Sequence, residues 1–260
     1  MVKSFKSYDV LGNIAIVKFS KDAKLKDKKK FAEKILKENK SIRTVLEKSG
    51  KFKGRLRKLL TNFIAGENTK EVLYRENNCI FRFNVDKTYF SSRLSNERKE
   101  IASLIKKNEI VLVMFAGVAP FSITIAKNSK AKKIYSNELN REANKYAELN
   151  ISLNKVKDKV ELINGDIKRI ATKLKQKFDV IVMPRPQLKD TFLESAFKLS
   201  KKGTRIYYYD FCKKDEISDV KEKIWAEAKK AKKSIKILKI KKAGEIAPYK
   251  IRVRIDFQIL

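Results

Sequence analysis

Residues 110–138 constrain the fold more than any other part of the chain. An apolar run, Ile110, Val111, Leu112, Val113 and Met114, precedes the segment Phe115, Ala116, Gly117, Val118, Ala119, Pro120, Phe121, Ser122, and a helical pattern follows over 123–131. A short apolar run bounded by turn residues reads as a buried strand, so this segment reads as strand, glycine turn and helix start. About twenty residues after Gly117 a second strand pattern, 133–137, ends in Glu138, and a third, 160–165, ends in Asp166. Strands that alternate with helices form a mostly parallel sheet, and such sheets bind ligands beyond the carboxyl ends of their strands. Gly117 lets the backbone approach a ligand. Glu138 is placed to hold ribose hydroxyls, and Asp166 to reach an adenine edge. A strand-end acid suits a ribose and not a phosphate, so the pattern points to S-adenosylmethionine over a dinucleotide or ATP. An ordinary α/β turn also uses one glycine, and Ala119 stands where a second is usual. The spacing of the strand ends is therefore what favours a nucleoside-type cofactor.

Charge narrows the partner. The 260 residues carry 63 Lys+Arg against 30 Asp+Glu, a net charge of +33. Such a field favours a polyanion and makes association salt-dependent. A lysine-rich compositional bias multiplies lysines, but it does not require this surplus over acids, so the expected partner is nucleic acid. No histidine is present, which excludes histidine-based catalysis. Cys79 and Cys212 lie far apart outside any CxxC pattern, so no zinc or other metal is expected. No signal peptide or long apolar run occurs, and a cytoplasmic, monomeric protein without membrane contact is expected.

The remaining patterns predict a small α+β module over 1–93 and the cofactor domain over 94–260. The module begins with strands within 8–19 and a basic amphipathic helix over 28–39. A short strand at 44–46, a basic stretch at 51–58 and a hairpin at 72–83 turning at 76–78 follow. A helix over 94–106 leads into the cofactor domain. Further strands are predicted at 178–183, entering Pro184, Arg185, Pro186, and at 204–209. A basic helix at 218–233 precedes two late antiparallel strands, 235–240 and 250–259.

With these segments in place, the chain resembles the archaeal and eukaryotic tRNA (guanine-37-N1) methyltransferase family, including its relatives in wyosine biosynthesis. The resemblance rests on residues 8–17, Gly54 to Arg57 with 64–66, 89–98, 114–122, 164–166, 208–211 and 247–249, which run in order along nearly the whole chain. It implies a class I methyltransferase fold, S-adenosylmethionine as donor, and N1 of guanine 37 in the tRNA anticodon loop as acceptor. It further implies that Glu97 is the general base. Guanine N1 bears a proton that a base must remove as the methyl arrives. Arg57 is implied as the fixed cation that supports negative charge developing at O6. Tyr89, Arg98, Phe115, Gly117, Glu138, Leu139, Asp166, Ile167 and Pro184 are implied around the donor, and Arg57, Pro184, Arg185 and Pro186 around the acceptor base. Arg57 among its basic neighbours also suits a phosphate contact, and Glu97 also suits an ion pair with Arg93 or Arg98.

The sequence departs from the family pattern at several points. Val113 stands where an aspartate is common, and Ala119 replaces a glycine. Pro184, Arg185 and Pro186 stand where the family has Asn-Leu-Pro. A proline-rich turn there implies a reshaped acceptor pocket and, among archaeal relatives, goes with added C7 methylation of the wyosine precursor 4-demethylwyosine. The extra N-terminal domain common in the family is not expected in this chain. Alternatives remain open at this point: an aminocarboxypropyl transferase of wyosine biosynthesis, a noncatalytic RNA-binding protein, and a methyltransferase acting on other nucleic-acid bases.

Overall fold

The computed structural model describes residues 8–50 and 59–260. Its centre is a seven-stranded sheet. In chain order the strands are β7 (Ile110–Val113), β8 (Lys133–Glu138), β9 (Val160–Asn164), β10 (Phe178–Met183), β11 (Ser200–Lys213), β12 (Ile235–Ala247) and β13 (Lys250–Ile259). Their spatial order is β12-β13-β11-β10-β7-β8-β9. The strands β7 to β11 run parallel, while β13 is antiparallel to both β11 and β12. The chain winds one way from β7 through β8 to β9, then crosses to β10 on the other side of β7. That reversal is the topological switch point at which open α/β sheets form their ligand crevice.

Helices cover both faces. They are α2 (Ser95–Leu104), α3 (Pro120–Asn128), α4 (Arg141–Leu153), α5 (Ile167–Lys173), α6 (Leu193–Leu199) and α7 (Ile217–Lys230). Both faces of the central strands are therefore apolar: Val111 and Val113 belong to one core cluster, Leu112 and Met114 to the other. Cys79 and Cys212 are buried free thiols. Among the described residues, no helix is long and apolar enough to cross a membrane.

The first part of the chain forms a separate four-stranded sheet of β1 (Tyr8–Leu11), β2 (Ile14–Val17), β3 (Thr44–Lys48) and β4 (Thr61–Gly66). Helix α1 (Leu25–Glu38) packs Ala32 and Ile35 against one face. Next comes the hairpin of β5 (Glu71–Glu76) and β6 (Cys79–Asn84), which turns at Asn77 and Asn78. Both turn residues have positive φ, 47° and 60°, the geometry that asparagine tolerates in a two-residue hairpin turn.

Side-chain amides join these parts. Asn13 donates to Glu71 O (3.3 Å) and accepts from Leu73 N (2.7 Å), tying the small sheet to β5. On the other edge of the hairpin, α4 presents Asn150 and Asn154 one turn apart. Asn150 accepts from Arg82 N (2.7 Å) and donates to Arg82 O (3.0 Å) and Val118 O (3.2 Å). Asn154 makes the same paired contact with Ile80 N and O, at 2.9 and 2.6 Å. Two helix side chains thus fill hydrogen-bonding positions that a further strand would take. Asn150 is fully buried, and alanine there would strand three backbone groups at a cost of about 3 kcal/mol. Chemical denaturation of Asn150→Ala should show that loss, and a change below about 0.5 kcal/mol would mean that the hairpin edge finds other partners.

Candidate active site

The cavity opens at the carboxyl ends of β7, β8, β9 and β10. Its floor is the turn after β7. Phe115, Gly117 and Ala119 have φ of 56°, 58° and 65°, so the turn passes through the left-handed region at every second residue. Only Gly117 does so without a steric cost. Non-glycine residues held there mark strain that the surroundings must support. The support is visible in the bonds from Ala116 N to Asn137 O (2.8 Å) and from Ala119 N to Ala116 O (3.0 Å). A Cβ on Gly117 would come within 3.3 Å of Tyr89 O.

Glu138 ends β8 in the cavity wall. Its carboxylate accepts from Gly117 N (2.7 Å) and Asn140 N (2.7 Å), so its oxygens are held in one place. Leu139 follows it, and Gly165, Asp166 and Ile167 form the wall beyond β9. Asn137 knits these ends together by donating to Ile163 O and Gly165 O, at 2.8 and 3.0 Å. Asp166 also caps α5, accepting from Lys168 N at 3.0 Å. The apolar side chains of Leu139 and Ile167 beside the carboxylates of Glu138 and Asp166 suit a nucleoside, with a ring to bury and hydroxyls to bind.

The opposite wall comes from the turn after β10. Pro184, Arg185 and Pro186 line the cavity with Phe115 and Phe192, whose rings meet edge-on at 4.9 Å. Arg185 is buried, and its guanidinium is directed at the loop. Nη1 reaches Pro186 O, Leu188 O and Asp190 O, each at 3.1 Å, and Nη2 reaches Asp210 Oδ1 at 2.5 Å. Arg185 therefore holds the turn in shape as an internal brace.

The residues near 89–98 form the third wall. Tyr89 and Arg98 both line the cavity. Arg98 is 1% exposed and forks onto Glu76, with Nη2 to Oε2 at 2.7 Å. It also donates to Ser91 O (3.0 Å) and stacks over Phe90. Its role here is to fix α2 and the segment before it on the hairpin. Arg57 lies outside the described residues.

Glu97 sits one layer behind the cavity. The wall in front of it is Tyr209, whose hydroxyl donates to Glu97 Oε2 at 2.9 Å. Arg254 Nη1 reaches the same oxygen at 2.7 Å, and Lys241 Nζ reaches Oε1 at 2.8 Å. Burial first, then the Glu97 charge, pushes the Tyr209 phenol well above its ordinary range, so it remains a donor at neutral pH. The alternative reading of Glu97, an ion pair with Arg93 or Arg98, is not what the structure shows: Arg93 faces Asp9 and Arg98 faces Glu76. Tyr209, Arg252 and Phe192 line the cavity without having been singled out in the sequence. Tyr209 stood within a family-like stretch, which was the available signal.

Residues 72–238 match the TRM5/TYW2 methyltransferase domain, and residues 1–69 match the TYW2 N-terminal domain. The switch point, the antiparallel β13 and the cavity at the carboxyl ends of the strands define a class I, S-adenosylmethionine-dependent methyltransferase fold. Within that class, the chain belongs to the TRM5/TYW2 family. It is 35% identical to tRNA (guanine(37)-N(1))-methyltransferase Trm5b of Pyrococcus abyssi over 97% of this chain and 74% of that protein. It is 34% identical to tRNA (guanine(37)-N(1))/4-demethylwyosine(37)-methyltransferase Taw22 of Nanoarchaeum equitans, over 98% of this chain and all of that protein. Among solved structures, the complex of aTrm5 and tRNALeu superposes with a TM-score of 0.84 at 29% identity, covering 98% of this chain and 72% of that one.

Glu100 supplies a measurable signature of the charge cluster behind the cavity. Burial acts to raise its pKa, but hydrogen bonds from Lys241 and Arg254 outweigh it and hold the group at about 2. An unfolded glutamate titrates near 4.3. The native state therefore gains stability from this group above about pH 4.3 and loses it as pH falls toward 2. Glu100→Gln should lower the denaturation midpoint at pH 7 and flatten the decline between pH 4.3 and 2. An unchanged acid limb would assign that decline to other carboxylates.

Proposed function

We propose that this chain methylates N1 of guanine 37 in tRNA, with S-adenosylmethionine bound against Glu138, Leu139, Asp166 and Ile167. One observation carries the reading: a cavity lined by Glu138, Leu139, Asp166 and Ile167 whose wall residue Tyr209 is hydrogen-bonded to the buried carboxylate of Glu97. The family relationship to tRNA (guanine(37)-N(1))-methyltransferases and the net charge of +33 agree with it. When bound, the donor supplies an electrophilic methyl carbon on its sulfonium. The residues of the chain do the rest. Glu138 fixes the ribose, the strained turn at Gly117 lets the donor lie against bare backbone, and Phe115, Pro184 and Phe192 keep the transfer region apolar. Glu97 takes the N1 proton, along a route that passes the Tyr209 hydroxyl. Arg57 stabilises the negative charge left on O6, the role the family resemblance gives it. In this division of labour residues 1–93 help to grip the tRNA and frame the acceptor, and residues 94–260 hold the donor. Incubating the protein with donor and tRNA transcripts and mapping position 37 by mass tests the reading, and absence of N1-methylguanine at that position overturns it.

Glu97→Gln should leave donor and tRNA bound while slowing single-turnover methylation about 100-fold or more. The amide keeps the shape but cannot accept the proton. It also leaves Arg254 and Lys241 with one less charge to face, so the melting temperature should fall as well. A normal rate in the folded variant would place the base elsewhere.

A second reading concerns the acceptor. The turn of Pro184, Arg185 and Pro186 offers the cavity rigid ring faces where the family pattern has an asparagine amide. Prolines fix φ and remove backbone donors. A wall of that kind suits a flat, bulky base such as the tricyclic wyosine precursor, and a relative at 34% identity is named for both activities. We infer that C7 methylation of 4-demethylwyosine accompanies N1 methylation. Pro184→Asn should then retain N1 methylation and lower the C7 rate selectively when both tRNA substrates are assayed side by side. A wild type that forms no C7 product would remove this reading alone.

A further inference from the structure

The hairpin of β12 and β13 runs with β11 past the end of β10, on the side where the cavity opens. Its register places the tip: Phe211 pairs with Arg252, and Lys213 with Lys250, so β13 begins level with the very end of β11. Ala247 pairs with Lys250 across a two-residue turn of Pro248 and Tyr249. Arg252 lines the cavity, with its guanidinium over the Phe211 ring at 5.2 Å. Tyr249 is three residues earlier, about 10 Å along an extended strand.

Tyr249 is unusual in two independent respects. It is 79% exposed, the most exposed of the large hydrophobic side chains among the described residues. It also has a φ of +61° at the second position of a turn whose first position is proline. That position favours glycine or asparagine, so a tyrosine there gains nothing from the fold and carries a steric cost. The surroundings are net cationic: Lys213, Lys214, Lys242, Lys250 and Arg252 lie on the hairpin and the adjoining strand ends, against Glu245, which pairs with Lys242 and Lys214, and Asp215 and Glu216 beside Lys213. An exposed ring in net cationic surroundings matches one partner chemistry, an unpaired nucleobase on a phosphate chain. Bases of single-stranded loops are held in this way, by stacking on aromatic side chains.

We propose that Tyr249 is a stacking platform for the unpaired base next to the acceptor nucleotide, gripping the RNA strand as its target base enters the cavity. This rests on the reading of the cavity as a tRNA-base methylation site.

The test uses the full-length protein and the paired variants Tyr249→Asn and Tyr249→Phe. Asparagine suits the left-handed turn, so it removes the ring while preserving the hairpin. Phenylalanine keeps the ring. Binding to a tRNA transcript at fixed salt should weaken about 5- to 150-fold in Tyr249→Asn and stay within about twofold of wild type in Tyr249→Phe. The salt dependence of binding should keep its slope, because no phosphate contact is lost, and donor affinity should not change. With 2-aminopurine placed beside position 37, wild type and Tyr249→Phe should quench its fluorescence and Tyr249→Asn should not. Equal tRNA affinity and equal quenching in all three proteins would overturn the platform while leaving the methylation reading intact. Failure of wild type to methylate position 37 would instead remove the methylation reading, and the platform with it.

Discussion

A fully buried arginine fastens helix α2 to the large sheet. Arg254, 0% exposed on β13, bonds Glu97 and Glu100 of α2 and its own neighbour Asp256. Removing one partner from such a cluster leaves buried charge uncompensated, at a cost of about 3–5 kcal/mol. Glu97 and Glu100 are three residues apart and so share one helix face. Between them Arg98 points elsewhere, to Glu76 of the hairpin. Helix α2 is therefore fastened at once to the large sheet and to the hairpin by two arginine–glutamate groups. The proposed base is part of the fastening, which ties its position to the integrity of the fold.

The parts of this architecture that were legible in the sequence are those encoded locally. The apolar run before Gly117 and the acids ending β8 and β9 were readable because a parallel sheet fixes where strand ends fall. The Arg254 cluster was not readable. Arg252, Arg254 and Asp256 alternate with Ile251, Val253, Ile255 and Phe257 as if they faced water. In the structure Arg254 and Asp256 are covered, and the glutamates that make this possible lie more than 150 residues away. Strand β12 continues to Ala247, seven residues beyond its expected end at 240, through lysines that disfavour strands. Pairing along β13 overrides that preference. Strand β4 was likewise missed as an element, since Asn62 and Gly66 weaken its pattern and its partner β3 supplies the pairing.

The family-like site residues divide by what their polar groups do. Glu138 is presented to the cavity by two backbone amides. Arg98 and Arg185, both arginines beside the same cavity, are turned into the protein and brace the loops that give it shape. Residue type and position alone could not separate these roles. The separation comes from where Glu76 and Asp210 stand, and neither was singled out for a partner in the sequence.

The amide pairing on the edge of β6 also orders events during synthesis. Hairpin residues 71–84 leave the ribosome well before their partners, since Arg82 and Ile80 bond to residues 68 and 74 positions later. Until α4 follows, the strand carries an open edge, which is the feature that draws nascent chains into wrong pairings. Asn150 and Asn154 close that edge with side chains and need no further strand. The hairpin thus completes its bonding only when the sheet behind it has begun to assemble, so the two parts of the chain finish folding together.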